Sequence, residues 1–250
     1  MMAATAQHAI EALRELERRL PDVFTLEPGA TDAELTAAEP SLPDDIRAIL
    51  RATTGIRIGK DRWDGMDGMD GMDGMDGMDD ELVLDPRRNA IGSEWSWGPG
   101  ETARVILQLA TGDTFFVDRD PATGAWGAVF SQSADFFDTW VYCARSLPRF
   151  LVDYARDALA NAESEADDFA VRFPCESVWD QHVEVTGTPV VELRGTADPD
   201  LAAAISGLPD DAVLADLRGL EPPVMMAMKG EGDFQRHGTE RLFAVAFPDS

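Results

Sequence analysis

Histidines, cysteines and closely paired carboxylates supply most catalytic and metal-binding groups. This chain offers few of them in a useful pattern. Its histidines are His8, His182 and His237, and its cysteines are Cys143 and Cys175. His8 falls on the polar side of an N-terminal helical pattern, where it is solvated. Cys175, His182 and His237 could meet as a metal site, but their spacing follows no zinc-ligand pattern. Acidic pairs occur at Asp44-Asp45, Asp79-Asp80, Asp167-Asp168 and Asp210-Asp211. Two carboxylates do acid–base work only in a cleft that drives their pKa values apart. With 47 acidic residues in the chain, adjacent acids arise by chance. Asp44-Asp45 also has a simpler use, since acids in the first turn of a helix favour its dipole. There is no Gly-x-Ser-x-Gly elbow, Walker loop or Rossmann glycine fingerprint. The expectation is a protein that is not an enzyme, with no catalytic residue, no metal and no cofactor.

The most regular stretch is WDGMDGMDGMDGMDGMDDE, from Trp63 to Glu81, which holds five copies of Asp-Gly-Met over residues 64–78. Glycine at every third position opposes a helix at about 1 kcal/mol each relative to alanine. A period of three does not match the two-residue period of a strand. Calcium loops place acids at alternate positions with a fixed glycine and a distal glutamate, which this spacing does not reproduce. Three readings stay open: weak cation binding, an acidic arm that engages a basic partner, and a tandem duplication tolerated inside a loop. The last is the simplest, because loop lengthening is thermodynamically mild. Trp63, Asp79 and Asp80 flank the repeat. Trp95 and Trp97 in SEWSWGPG share one side if that stretch is extended. They either fill the core or form a partner-facing aromatic patch, since tryptophan is enriched in binding hot spots. Trp63, Asp79, Asp80, Trp95 and Trp97 are therefore the candidate partner-binding residues.

The chain of 250 residues is 44% hydrophobic, enough for a substantial core in one domain or in a domain and a smaller companion. Its net charge is −26, and removing the five repeat aspartates takes it only to −21, so acidity is a property of the whole chain. Such a surface repels nucleic acid and anionic lipid and attracts basic partners. Two cysteines make no disulfide framework and fit a reducing compartment. The N-terminal stretch MMAATAQHAIEALRELERRL has no leader-like apolar core, and no apolar run reaches the roughly 20 residues of a membrane helix. A soluble, cytoplasmic protein is expected.

Periodicity then places the elements. Ile10, Leu13, Leu16 and Leu20 mark an amphipathic helix that ends at Pro21. Thr31 and Glu34 form a Thr-x-x-Glu capping box for a second helix, with Leu35 and Ala38 on its apolar side and Pro40 at its end. A third helix opens at Leu42-Pro43, buries Ile46, Ile49 and Leu50, and is expected to terminate at Gly55. After the repeat the pattern becomes that of strands: ELVLD (81–85), ARVILQL (103–109), TFFVD (114–118) and WGAVF (126–130), joined by turns at TGD and DPATG. A helix carrying Phe136, Phe137, Trp140 and Val141 is expected next, then a break at Pro148 and a helix using Phe150, Leu151, Tyr154 and Leu159. NAESEADD (161–168) reads as a helix end or linker. In the tail, PVVELRG (189–195), AVLADLRG (212–219), VMMAMKG (224–230) and RLFAVAF (241–247) read as strands, and DPDLAAAISGL (198–208) as a helix capped by Asp198. Met225, Met226 and Met228 belong to the core. The tail forms either a small unit of its own or an extension of the main sheet.

PGATDAELTAAEPSLPDDIRAILRATTG (28–55) resembles the opening of the Smi1/Knr4, or SUKH, family, with Glu39, Leu42, Pro43, Ile46, Leu50 and Gly55 in the family's places. GDTFFVDRDPATGAWGAVF and SADFFDTWV are similar to its central strands and closing helix. The resemblance covers roughly residues 10–159, and its Glu39 to Leu42-Pro43 spacing is shorter than the family's usual pattern. It implies an α+β fold: an antiparallel sheet of about four to six strands, N-terminal helices and a closing helix. The expected division is 1–165 for this domain, with the repeat at 64–78 as a loop insertion, and 174–250 for a small α+β C-terminal extension. It also implies a non-enzymatic protein-binding role. Many bacterial members are immunity proteins that neutralise toxins, often nucleases, and fungal members are regulatory scaffolds. With the acidic charge, the expectation is an immunity protein that masks a basic toxin domain. The alternative is a regulatory or scaffold protein with no toxin partner.

Overall fold

The computed structural model describes residues 4–38, 42–58, 81–84, 103–108, 114–120, 123–132, 139–163, 184–228, 235–237 and 243–247. The protein is α+β. Its N-terminal helix α1 (Ala6–Arg19) buries Ile10, Leu13 and Leu16, as the three- and four-residue spacing requires. Its capping box pairs Thr5 with His8: the Thr5 hydroxyl accepts from the His8 N–H, and the Thr5 N–H donates to His8 Nδ1 at 3.3 Å. Strand β1 (Phe24–Pro28) follows, a strand that periodicity did not reveal. Helix α2 (Asp32–Ala38) carries the expected box, with Thr31 N donating to Glu34 Oε2 at 2.8 Å and Glu34 N donating to Thr31 Oγ1 at 3.3 Å. Helix α3 (Asp44–Ala52) follows Pro43 and buries Ile46, Ile49 and Leu50.

Gly55 does not terminate α3. The helix ends at Ala52, Thr53 is extended, and Gly55 lies inside strand β2 (Thr53–Ile58). A Cβ there would stand 2.5 Å from the Leu82 carbonyl oxygen, so glycine serves close strand approach and not a left-handed cap. Strands β3 (Glu81–Val83), β4 (Ala103–Gln108), β5 (Thr114–Arg119) and β6 (Trp126–Gln132) continue the sheet as the patterning predicts. The turn between β5 and β6 has Gly124 at φ 72° and closes with Gly124 N on the Asp120 carbonyl at 2.7 Å.

The next element corrects the sequence reading. The segment carrying Trp140 and Val141 is strand β7 (Thr139–Ala144), not a helix; Phe136 and Phe137 lie outside the described residues. Alternation explains it. Trp140 and Tyr142 enter one core while Val141 and Cys143 enter another, and only a two-residue period sends neighbours to opposite faces. Pro148 does not break a helix either. It sits in the first turn of α4 (Leu147–Glu163), where a missing N–H costs nothing. Phe150, Leu151 and Tyr154 are buried as expected.

The tail holds β8 (Glu184–Thr186), β9 (Thr188–Pro189), α5 (Val190–Leu193), α6 (Pro199–Ala204), β10 (Val213–Asp216), β11 (Val224–Ala227), β12 (Gln235–His237) and β13 (Phe243–Ala246). PVVELRG is thus a bridge residue pair and a helical turn, not a strand. Pro189 caps the turn, and Val190 N and Val191 N donate to the carbonyls of Ala212 and Asp210. Asp198 caps α6 as read from sequence, accepting from Asp200 N and Leu201 N.

Nine strands make the main sheet, in the order β1-β2-β3-β4-β5-β6-β7-β11-β8, and four make a second, β12-β13-β10-β9. The main sheet is larger than the expected four to six strands. The strands beyond the expected β3 to β6 are β1 and β2 before the repeat, β7 where a helix was expected, and β11 and β8 contributed by the tail. Every described pair in it is antiparallel except β8 with β11. The tail does both things the sequence left open: β8 and β11 extend the main sheet, and the rest builds the second.

Three cores follow from this stacking. Helices α1, α3 and α4 pack on one face of the main sheet against Phe115, Val117, Val129 and Val141. The other face meets the second sheet through Phe116, Phe130, Trp140, Tyr142 and Met226 on one side and Ala215, Ala244 and Ala246 on the other. The far face of the second sheet, Leu214, Phe243 and Val245, is covered by α5, α6 and the residues after it. Strands buried on both faces read as continuous apolar runs, which is why β5, β6 and β13 show little polar alternation. Between the sheets, Phe116 stacks on Phe130 at 5.7 Å, Phe130 meets Tyr142 at 5.5 Å, and Trp140 stands edge-on to Phe116 at 5.4 Å.

Candidate functional site

The candidate partner-binding residues Trp63, Asp79, Asp80, Trp95 and Trp97 lie outside the described residues, as does the repeat. The strands on either side of them show where their segments are anchored. Residues 59–80 join β2 to β3, which pair antiparallel with Arg57 opposite Glu81. The repeat therefore interrupts a link between neighbouring strands, not the passage from the third helix to the first strand. Residues 85–102, with Trp95 and Trp97, join β3 to β4. Because β3 runs from one end of the sheet to the other, these two segments leave from opposite ends.

This separation has an electrostatic counterpart. The strands alternate in direction from β2 to β7, so the strand ends that flank segments 59–80, 109–113 and 133–138 lie at one end of the sheet, and those that flank 85–102 and 120–125 lie at the other. The first group holds eleven acids and two bases, the second four acids and two bases.

Within the described residues the chemical groups are committed elsewhere. His8 belongs to the α1 capping box. Asp44 and Asp45 are exposed in the first turn of α3, with Asp45 Oδ1 accepting from Ile46 N at 2.9 Å. Asp210 and Asp211 are exposed, and Asp210 pairs with Arg194 at 3.0 Å. Of the three suggested metal ligands only His237, in β12, falls among the described residues. Among these residues no group of three or more His, Cys, Asp or Glu is placed to hold a metal. Met226 and Met228 are buried in the inter-sheet core, and Met225 packs on the helix side.

The densest charged constellation surrounds Arg218, just after β10. Its guanidinium meets Asp198 Oδ2 and Asp216 Oδ2 at 2.6 Å each, and lies 4.7 Å over the Phe243 ring. The Arg218 hydrogen bond, aided by the N–H groups of Leu201 and Asp200, holds the Asp198 carboxyl down to about 2. Both oxygens of Asp198 are occupied, one by the guanidinium and one by the helix N-terminus. The cluster fastens α6 to the second sheet. Sequence reading found Asp198 through its capping role but not Arg218, whose three partners are assembled by the tertiary fold.

No protein-family model matches this chain, and neither a curated protein nor a solved structure matches it. Among the described residues no helix is long and apolar enough to cross a membrane.

Proposed function

We propose that this chain is a non-enzymatic protein-binding domain of the Smi1/Knr4 type, an immunity protein that masks a basic toxin domain. The observation that carries the reading is electrostatic: a chain of net charge −26, in which the segments 59–80, 109–113 and 133–138 together hold eleven acids against two bases. A basic partner is steered to such a chain by its field and loses its own access to anionic substrate such as nucleic acid once covered. Of the elements the resemblance implies, the N-terminal helices and the strands β4 to β6 are present, whereas the closing helix expected at SADFFDTWV is strand β7 over its described residues. The cytoplasm, where an immunity protein meets its toxin, is the compartment this reading requires.

The test mixes the purified chain with each basic toxin domain encoded by its native host. A cognate domain should co-elute with it, lose its activity, and bind more weakly as salt rises. If no toxin of the host is bound or inhibited, the reading is wrong. A housekeeping partner recovered in its place would favour the regulatory or scaffold role.

A further inference from the structure

An edge strand presents unpaired N–H and C=O groups to any strand that arrives. Strand β1 is one edge of the nine-stranded sheet. Its register with β2 sets Phe24 against Ile58, Thr25 against Arg57 and Leu26 against Ile56. In an antiparallel pair alternate residues turn their amides inward and outward. The outward set here is Phe24, Leu26 and Pro28. The Phe24 N–H donates to the Leu20 carbonyl at 2.9 Å. The Leu26 N–H donates to Glu17 Oε1 at 2.8 Å. Pro28 has no N–H to offer. Every outward donor of this edge is thus taken or absent, and both acceptors belong to the end of α1.

The helix backbone closes the first position as a consequence of chain continuity, since Leu20 caps α1 only four residues before Phe24. Glu17 is different. It is a charged side chain, half-buried, bonded across nine residues to a backbone amide that water could otherwise satisfy. We propose that Glu17 is an edge guard: by occupying the Leu26 amide it prevents β1 from pairing with β1 of a second copy of this chain. A β1–β1 pair about a two-fold axis at Leu26, the middle of the strand, is self-complementary: each Leu26 N–H meets the other Leu26 carbonyl, and Thr25 stands opposite Glu27. The net charge of −26 opposes such contact at a distance but is screened beyond about 8 Å at physiological salt, so the guard has to act locally. This inference is independent of the toxin reading.

The experiment compares the wild-type chain with Glu17→Ala, Glu17→Ser and Glu17→Gln by sedimentation velocity over a concentration series at physiological salt. Alanine and serine cannot reach Leu26, so both variants should self-associate more than wild type. Glutamine keeps an acceptor oxygen in place and should sediment as wild type does. Hydrogen exchange at the Leu26 amide should be slow in wild type and Glu17→Gln, and about tenfold faster in the dissociated Glu17→Ala chain. Adding Thr25→Glu to Glu17→Ala sets a carboxylate opposite Glu27 of the other copy at both ends of the β1–β1 pair and should abolish the new association. Folded Glu17→Ala or Glu17→Ser that sediments as wild type does overturns the proposal. So does equal association in Glu17→Gln, or an unprotected Leu26 amide in the wild-type chain.

Discussion

At the scale of single residues, two side chains carry their surroundings in their ionisation. Tyr142 is fully buried between the sheets, and among the described residues its hydroxyl has no hydrogen-bond partner. Burial pushes the phenol from its ordinary 10.0 up to about 12, with Arg145 opposing and Glu221 adding. A group whose folded pKa is raised contributes stability that is whole below the unfolded pKa and is lost as pH rises through the folded one. Wild-type stability should therefore fall between about pH 10 and about pH 12. Tyr142→Phe should lack that component and melt within about 1 kcal/mol of wild type at neutral pH, because it removes an unsatisfied hydroxyl and keeps the ring. Chemical denaturation at pH 8 and pH 11, scales on which the phenol differs in charge only when unfolded, measures both effects. Asp198 shifts the other way, and its contribution is present above the ordinary carboxylate pKa and lost as pH falls through about 2. Replacing Arg218 by methionine should raise the Asp198 titration towards the ordinary range in an NMR pH series. An unmoved titration would mean that the helix N–H groups alone hold it.

At the scale of elements, the links between strands explain the least forgiving positions. The chain leaves the main sheet at β8 and enters the second at β9 through a single residue, Gly187. A Cβ there would lie 2.3 Å from Val213 Cγ1, on the neighbouring strand of the second sheet. Valine has few rotamers with which to retreat. Gly187→Ala should cost about 1–3 kcal/mol in a denaturant melt, as overpacking does in other cores. A cost near zero would show that the two sheets part easily at this crossing. Helices α1 and α2 were legible because their caps and apolar stripes are local: Thr31 with Glu34, and Leu13 with Leu16. Strand β7 was not. TWVYCA carries large apolar side chains at every position, so both a helical and a strand period fit it until its two neighbours, β6 and β11, are in place.

At the scale of the whole molecule, four layers of helix, sheet, sheet and helix enclose three cores. The long acidic insertion hangs on the main sheet between two strands that pair with each other. Shortening the five Asp-Gly-Met units to one should therefore change stability by less than about 1 kcal/mol, since loop closure depends only logarithmically on length. A larger loss in a thermal melt, or stabilisation by calcium confined to the full repeat, would show that the insertion is a structural or metal-binding device. The same deletion removes four aspartates from the chain and should weaken capture of a basic partner at low salt more than at high salt.

The amino-acid sequence by itself determined the fold class, the N-terminal helices with the capping box of α2, the strands from β3 to β6 and the acidity on which the proposed function rests. All are set by neighbours within a few residues or by simple addition of charge. Tertiary structure alone decided that β1 and β2 precede the repeat in the same sheet, that the tail is divided between two sheets, and that Arg218 gathers its aspartates. Each of these depends on which strand lies beside which, and strand pairing joins residues that are far apart in sequence through backbone bonds that every residue type can make.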